Sequence, residues 1–359
     1  MVRKSFYLDA NGHVNINQKA LDAYIKFSNS IAGHGHPSSL SKPGREAALA
    51  MEEARGKIAE LIGAENSNQI IFTSSCTQAC EWGLKLFFDI EKNNYSKDNI
   101  AVSPLEHPAV KTVCESLQLL PCTQDGIVED NLNNSDISKI ICVHMQNEIG
   151  TIQPIKTLKR KYIFSDMSQS LGKMPINVTD LNVDIAAFGA HKFGGPSGIG
   201  FMYLRNIDWW QPFGKGSRYY TDISGSSNVS GIVATAVALE EAIKTLPERT
   251  QKMQAFQKTL EIGLKNLGLN IIGDGAPRSF NTTYVSGLTQ AQTTLLELSE
   301  LGIYVGLGSA CSSYSSNISP LIKVLGYNYT TDNVMRISQW GEYNDTDAIN
   351  FLNIFKKVL

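Results

Sequence analysis

The strongest constraint on the fold is a rhythm of short apolar runs, rich in β-branched residues, that alternate with longer amphipathic stretches. The runs are QIIFT (69–73), NIAVS (99–103), KIICVHM (139–145), KYIFSD (161–166), DIAAFG (184–189) and IGFMYL (199–204). Each is too short for a stable helix and has the composition of a buried strand. Residues 44–62 place Met51, Ala54, Ile58, Leu61 and Ile62 on one helical stripe, and Gly63 follows where a helix C-cap sits. Strands alternating with helices predict a largely parallel sheet covered on both faces, with ligands gathered at the carboxyl ends of the strands.

At 359 residues and 42% hydrophobic, the chain can bury a large core and is expected to divide into a larger and a smaller domain. Past the helical run 231–246, the pattern changes to a second α/β segment ending in the helical tail DTDAINFLNIFKKVL. The expected division is a large domain over 13–246 and a small domain built from 1–12 and 247–359. The net charge of −2, with no Lys/Arg-rich cluster, argues against direct nucleic-acid binding and against an anionic-membrane anchor. No run of about 18 apolar residues offers a membrane span. The segment MVRKSFYLDANGHV has no apolar stretch behind its basic residues, so a cytoplasmic location is expected. Six cysteines, scattered without a C-x-x-C pair, suit a reducing compartment with free thiols.

Chemistry is expected at the strand ends. In GAHKFGGPSGIGFMYL (189–204), Lys192 follows one apolar strand and precedes a glycine-rich turn into the next. Desolvation there lowers a lysine's pKa and lets its amine condense with an aldehyde cofactor, although a surface lysine beside a turn reads the same way. In YIFSDMSQSLGK (162–173), Asp166 closes a strand and Gln169 follows it; the carboxylate can face a cationic ring nitrogen or cap the next turn. FTSSCTQACEWGLKLFF (72–88) runs from a strand through a Ser/Thr cluster into a helix, whose N-terminus suits a phosphate with Thr77 as leading ligand. His107 of SPLEHPAV (103–110) can stack on a ring and move protons near neutral pH. Asn147 of MQNEIGTIQPI (145–155) can hydrogen-bond a cofactor or order a turn. Cys311 lies in VGLGSACSSYSSNISPLIKVLG (305–326), whose small polar residues imply an exposed, reactive thiol, whereas Cys142 reads as a core residue. Arg336 of NVMRISQWGEYNDTDAI (333–349) can grip an α-carboxylate through two parallel hydrogen bonds or serve an ordinary salt bridge. His34 and His36 form an H-x-H pair without Cys or His partners at metal spacing, so no metal centre is expected.

Taken in this order, the motifs resemble those of the cysteine desulfurases, within the class V aminotransferase-like group of fold-type I pyridoxal 5'-phosphate (PLP) enzymes. The resemblance runs from YLDANG (7–12) through AHKFGGPSGIG to GSACSS and MRIS (335–338). It implies an α/β, PLP-dependent transferase: a large domain with a mostly parallel sheet flanked by helices, and a smaller α/β C-terminal domain carrying a catalytic-cysteine loop. Lys192 would hold PLP and later take the substrate α-proton, Asp166 would pair with the ring nitrogen, and His107 would stack on the ring and assist proton transfer. Gln169 and Asn147 would contact the phenolic oxygen or the substrate. Cys76, Thr77 and His191 would hold the phosphate, joined by Ser226 from the neighbouring subunit of a homodimer. Arg336 would bind the carboxylate of L-cysteine. Cys311 would collect its sulfur as a persulfide, leaving alanine, for transfer to an acceptor such as an iron–sulfur scaffold or a thiolation protein. The form GSACSS with a lengthy polar tail resembles the branch whose catalytic loop is long.

The chain departs from that family pattern at several places. Asn11, Gly12 and His13 follow Ala10 where Thr-Thr is usual, His36 stands for Asn, Ser41 for His and Gly189 for Ser. Ser75 and Gln78 replace Gly and Glu, and Ile223 occupies the Arg position of an Arg-Ser-Gly-Thr run. These positions touch phosphate and substrate contacts and spare the lysine, aspartate, histidine and reactive cysteine. Two other readings stay open at this point. One is a different fold-type I PLP enzyme, such as an aminotransferase, epimerase or selenocysteine lyase, in which Cys311 is incidental. The other is a non-catalytic platform in a sulfur-transfer assembly.

Overall fold

The apolar runs become the interior of one seven-stranded sheet, ordered β2-β8-β7-β6-β5-β3-β4. The computed structural model describes residues 5–91, 99–132, 136–210, 227–308 and 320–359. Its first elements are β1 (Phe6–Tyr7), α1 (Gln18–Ser28), α2 (Lys42–Ile62), β2 (Ile70–Thr73) and α3 (Cys76–Asp89). There follow β3 (Ile100–Val102), α4 (Pro108–Cys114), β4 (Gln118–Leu119), β5 (Lys139–Ile141), β6 (Tyr162–Asp166), β7 (Ile185–Gly189) and β8 (Gly200–Leu204). Every strand but β8 points the same way; β8 runs antiparallel to both β7 and β2. The run 139–145 is regular strand only to Ile141, yet the N–H groups of Cys142 and His144 still donate to Phe164 and Asp166, each at 3.0 Å. The chain past Ile141 thus stays extended along β6.

Side-chain alternation explains why these strands are apolar throughout. Ile70, Phe72, Ile140, Ile163, Ala186 and Phe201 face one core, while Ile71, Ile141, Phe164, Ile185 and Met202 face another. A sheet covered on both faces has no position at which a polar residue alternates into water. On the first face α2 and α1 pack against α5 (Val229–Lys244), and on the second α3 lies across β6, β7 and β8. Helix α2 begins two residues before the expected segment 44–62 because Ser41 caps it, accepting from the Gly44 N–H at 3.3 Å. It ends at Gly63, whose φ of 73° is the left-handed turn that a C-cap glycine supplies.

The remaining elements are α6 (Leu246–Asn266), β9 (Asn270–Ile271), β10 (Thr282–Ser286), α7 (Ala291–Glu300), β11 (Ile303–Tyr304), α8 (Pro320–Val324), β12 (Val334–Ser338) and α9 (Asp345–Phe355). Strands β9, β10 and β12 form an antiparallel sheet, and the N-terminal β1 pairs in parallel with β11. Phe6 and Leu8 share a core with Phe256, Leu260, Met335, Phe351 and Phe355. Arg249 ties this part to the large sheet: its Nη2 donates to the carbonyls of Gly172 at 2.7 Å and Ala242 at 2.5 Å, and its guanidinium lies 4.0 Å from the Trp340 ring.

Lys139 is the unusual charge inside this frame. It is 1% exposed, and its Nζ donates to the carbonyls of Phe87, Phe88 and Ile90 at 3.1, 3.3 and 2.6 Å, capping the C-terminus of α3. Burial holds its pKa below the usual lysine value. Lys139→Met is expected to lower stability by about 2 kcal/mol, because buried acceptors left without a donor cost about 1–3 kcal/mol. Urea unfolding followed by far-ultraviolet circular dichroism measures this; an unchanged midpoint would mean that the cap is dispensable.

Candidate active site

A cleft of about 190 Å³ opens beyond the carboxyl ends of β5, β6 and β7, where backbone groups of a parallel sheet face a crevice. Lys192, Asp166, His107, Gln169, Asn147, His191, Cys76, Thr77 and Arg336 all line it. Cys311 and Ser226, with Ile223, lie outside the described residues.

Strand β7 delivers Lys192 through one tight helical turn, Ala190–Lys192, before the chain reverses into β8. The ammonium donates to the carbonyls of Asn11 at 2.7 Å and Gly12 at 2.8 Å. Burial, aided by the charge of Arg336, lowers its pKa to about 8. A second lysine, Lys173, is 4% exposed and donates to Asn11 Oδ1 at 2.8 Å and Gln169 Oε1 at 2.5 Å. Burial, then repulsion from Lys192, keeps its pKa well below the lysine value. Asn11 joins these groups to the small sheet. Its Nδ2 donates to Thr282 Oγ1 at 2.8 Å and to the Asn147 carbonyl at 3.1 Å, while its N–H donates to Ser338 Oγ at 3.0 Å. The Gln169 amide also reaches the Asn11 carbonyl, at 3.0 Å.

On another wall, Asp166 ends β6 and accepts from the Ser168 N–H at 2.9 Å and from the Cys76 thiol at 3.8 Å. His107 caps α4, its Nδ1 accepting from the Ala109 N–H at 3.2 Å. That acceptance leaves Nε2 to carry the proton of the neutral ring. Burial lowers the His107 pKa, with the Asp166 charge acting in opposition. Beside it, Glu106 is 2% exposed and accepts from the Val143 N–H at 2.5 Å, while its Oε2 has no hydrogen-bond partner. Burial raises its pKa to about 8, so the carboxyl is mostly protonated at neutral pH.

The end of the cleft beneath α3 is suited to an anion. Ser75 accepts from the Gln78 N–H at 3.1 Å, leaving the first amides of the helix pointing out of its N-terminus beside Thr77. His191 stands next to them, its ring stacked on His13 at 5.5 Å, and burial with the Lys192 charge lowers its pKa to about 4. Gly189 is explained by packing: a Cβ there would lie 3.1 Å from the Cys76 Cβ, tighter than ordinary contact. The other departures also have local tasks, since Ser41 caps α2 and His36 Nδ1 pairs with Ser38 Oγ at 2.6 Å.

Arg336 comes from β12 and is 2% exposed. Its Nη2 pairs with Asp9 Oδ1 at 2.7 Å and its Nη1 donates to the Asn147 carbonyl at 3.0 Å, while its Nε is buried without a partner. Gly306 exchanges backbone hydrogen bonds with Arg336 at 3.0 and 2.6 Å. The described stem of the segment that carries Cys311 therefore runs beside this guanidinium. Sequence reasoning missed Asp9, Lys173, Glu106 and Cys80 as site residues and noted Asn11 only as a departure. Glu106, adjacent to His107, and Lys173, four residues after Gln169, were the legible signals, because charged residues beside strand ends in apolar surroundings need partners.

Fold and site together define a fold-type I PLP-type enzyme scaffold. A solved NifS-like protein superposes with a TM-score of 0.87 at 28% identity, covering 99% of each chain. The chain belongs to the aminotransferase class-V family, whose model matches residues 6–352, and within it to the cysteine desulfurase group. It is 33% identical to the cysteine desulfurase IscS of Dictyoglomus turgidum, over 90% of this chain and 86% of that one. It is 30% identical to the cysteine desulfurase IscS of Methanosarcina thermophila, over 90% and 84%. This family is in general PLP-dependent. Among the described residues no helix is long and apolar enough to cross a membrane.

The depressed pKa of Lys192 has a direct readout. In chain freed of cofactor, an amine-selective acylating reagent should label Lys192 at a rate that rises about tenfold per pH unit and levels off near pH 8. Surface lysines should keep accelerating to about pH 10. Peptide mass spectrometry reports both; a Lys192 profile matching the surface lysines would show that the amine is not desolvated.

Proposed function

We propose that the chain is a cysteine desulfurase that binds PLP, removes sulfur from L-cysteine, releases L-alanine and retains the sulfur as a persulfide on Cys311. The observation that carries this reading is the convergence of Lys192, Asp166, His107 and Arg336 on one cleft in a member of this family. The groups present suit the cofactor: a partly neutral amine, a buried carboxylate, an imidazole and a helix N-terminus surround one cavity. A buried Arg336 Nε without a partner faces the same need for an acceptor.

When bound, PLP supplies an electron sink for the substrate carbon that loses its proton. Lys192 holds the cofactor through its amine and then moves the α-proton, work suited to an amine with a pKa of about 8. Asp166 would hold the ring nitrogen protonated, and His107, whose ring is kept neutral by burial, would stand against the ring and offer its Nε2 proton. Gln169 and Asn147 orient the phenolic oxygen and the substrate. The amides and side chains at Cys76 and Thr77, with His191, hold the phosphate, and Ser226 completes that site across a homodimer. Arg336 grips the substrate carboxylate.

The Cys311 thiolate then attacks the substrate sulfur. An S–S bond forms, the C–S bond breaks, its electron pair goes to carbon, and that carbon takes a proton as alanine, so no external oxidant is needed. Position supports this role, since the stem of its segment passes Arg336. The sulfur goes on to an acceptor protein, an iron–sulfur scaffold or a thiolation protein, in the cytoplasm, where dispersed free thiols persist. We also read the chain as two domains, 13–246 and 1–12 with 247–359, because Phe6 and Leu8 pack with the C-terminal elements.

With PLP and a dithiol reductant, the protein should release equimolar sulfide and alanine from L-cysteine, and Cys311→Ser and Lys192→Ala should each abolish this. Full activity in Cys311→Ser, or alanine only with an oxo-acid present, would replace the reading with an aminotransferase. Arg336→Lys should raise the KM for L-cysteine roughly tenfold to a hundredfold, the worth of a hydrogen bond to a charged group, while cofactor absorbance stays intact. An unchanged KM would remove Arg336 from the substrate site.

A further inference from the structure

Cys76 and Cys80 lie one helical turn apart at the start of α3, and both line the cleft with Asp166. Their sulfur atoms and a carboxylate oxygen of Asp166 fall within 4.8 Å of one another, the one such group of Cys, His, Asp or Glu among the described residues. The Cys76 thiol donates to Asp166 Oδ1 at 3.8 Å and shares a hydrogen bond with the Cys80 thiol. A tetrahedral ion with bonds of about 2.3 Å to sulfur and about 2.0 Å to oxygen sets its ligand atoms roughly 3.5–3.8 Å apart. The Cys76–Asp166 separation of 3.8 Å is already near that spacing, and the other two lie within 4.8 Å.

We propose that Cys76, Cys80 and Asp166 form a binding site for a soft divalent cation of the Zn²⁺ kind, and that this cation and the cofactor exclude each other. Two ligands come from one helix face and the third from the end of the neighbouring β6, so the backbone holds the set in place. The fourth position opens into the cleft, where water completes the shell. On binding, both thiols lose their protons to solvent and no group changes oxidation state, so affinity falls as the pH drops.

The hydrogen bond that Cys80 donates to Cys76, then burial, with the Asp166 charge beside them, hold the Cys80 thiol protonated. For Cys76 the Cys80 hydrogen bond favours the thiolate, but burial and the Asp166 charge outweigh it. A divalent ion reverses the balance for both. Exclusion rests on the proposed function, which assigns Asp166 to the cofactor's ring nitrogen; the same carboxylate cannot serve a metal at the same time. The metal-loaded chain is therefore an inactive form that cofactor supply converts to the active one.

The test uses the full chain in a Cys311→Ser background, with Co²⁺ alone as the spectroscopic probe. One equivalent should bind with a near-ultraviolet thiolate-to-cobalt band, and Zn²⁺ should displace it. Cys80→Ala should weaken binding at least about a hundredfold, more than the loss of an outer-shell partner costs. Cys114→Ala, a buried cysteine outside the cluster, should leave the band unchanged. Added PLP should raise the apparent Kd for Co²⁺ in proportion to its concentration. Absence of the band, a band indifferent to Cys80→Ala, or cobalt and PLP bound together would each overturn the proposal. Should the chain take up no PLP at all, the desulfurase reading fails, while the cobalt titration still decides whether the three residues hold a metal.

Discussion

A buried lysine, Lys173, and a half-buried one, Lys192, that repel each other have to be reconciled with a low-dielectric interior, and Asn11 does most of that work. Its carbonyl takes Lys192 and the Gln169 amide, and its side-chain oxygen takes Lys173 and Asn281. Its own amide holds Thr282 and the Asn147 carbonyl. One residue thus links the N-terminal segment, the loop after β6, the end of β7 and strand β10. An amide has both a strong acceptor and two donors, which neither a threonine nor an alanine provides. The departure from the family pattern at this position is chemically coherent: what is lost in hydroxyls is regained in a denser hydrogen-bond hub.

Burial is also the shared cause of the site's electrostatics. It lowers Lys192 to about 8 and His191 to about 4, and raises Glu106 to about 8. Each group moves toward its neutral form, because a charge far from water is costly in any sign. Such a cleft is poised for ligands that bring charge with them, which is the use that the proposed function makes of the α3 N-terminus and of Arg336. The same logic makes the thiol pair beside Asp166 a latent cation site.

Legibility in the sequence followed burial. The strands buried on both faces were readable from their apolar runs, and Lys192, Asp166, His107 and Asn147 were readable because each follows such a run. The two-residue strands β1, β4, β9 and β11 were not, since segments this short carry no period. The direction of β8 was equally hidden: an apolar run looks the same forwards and backwards, and only the tight turn after Lys192 made a hairpin of it. Asn11, Glu106, Lys173 and Cys80 are ordinary residues locally; their partners are supplied by distant parts of the chain.

The sequence by itself determined the α/β class, the interior strands, the family and the residue types required for chemistry on an amino acid. Those follow from local pattern and ordered motifs, which do not depend on how the pieces meet. Only the tertiary structure decided that Asn11 and Gly12 of the N-terminal segment would line the cleft, that Glu106 would be held protonated, and that two cysteines and an aspartate would stand within 4.8 Å of one another. These depend on distances between elements and on exclusion of water, and both arise only when the two sheets close on each other.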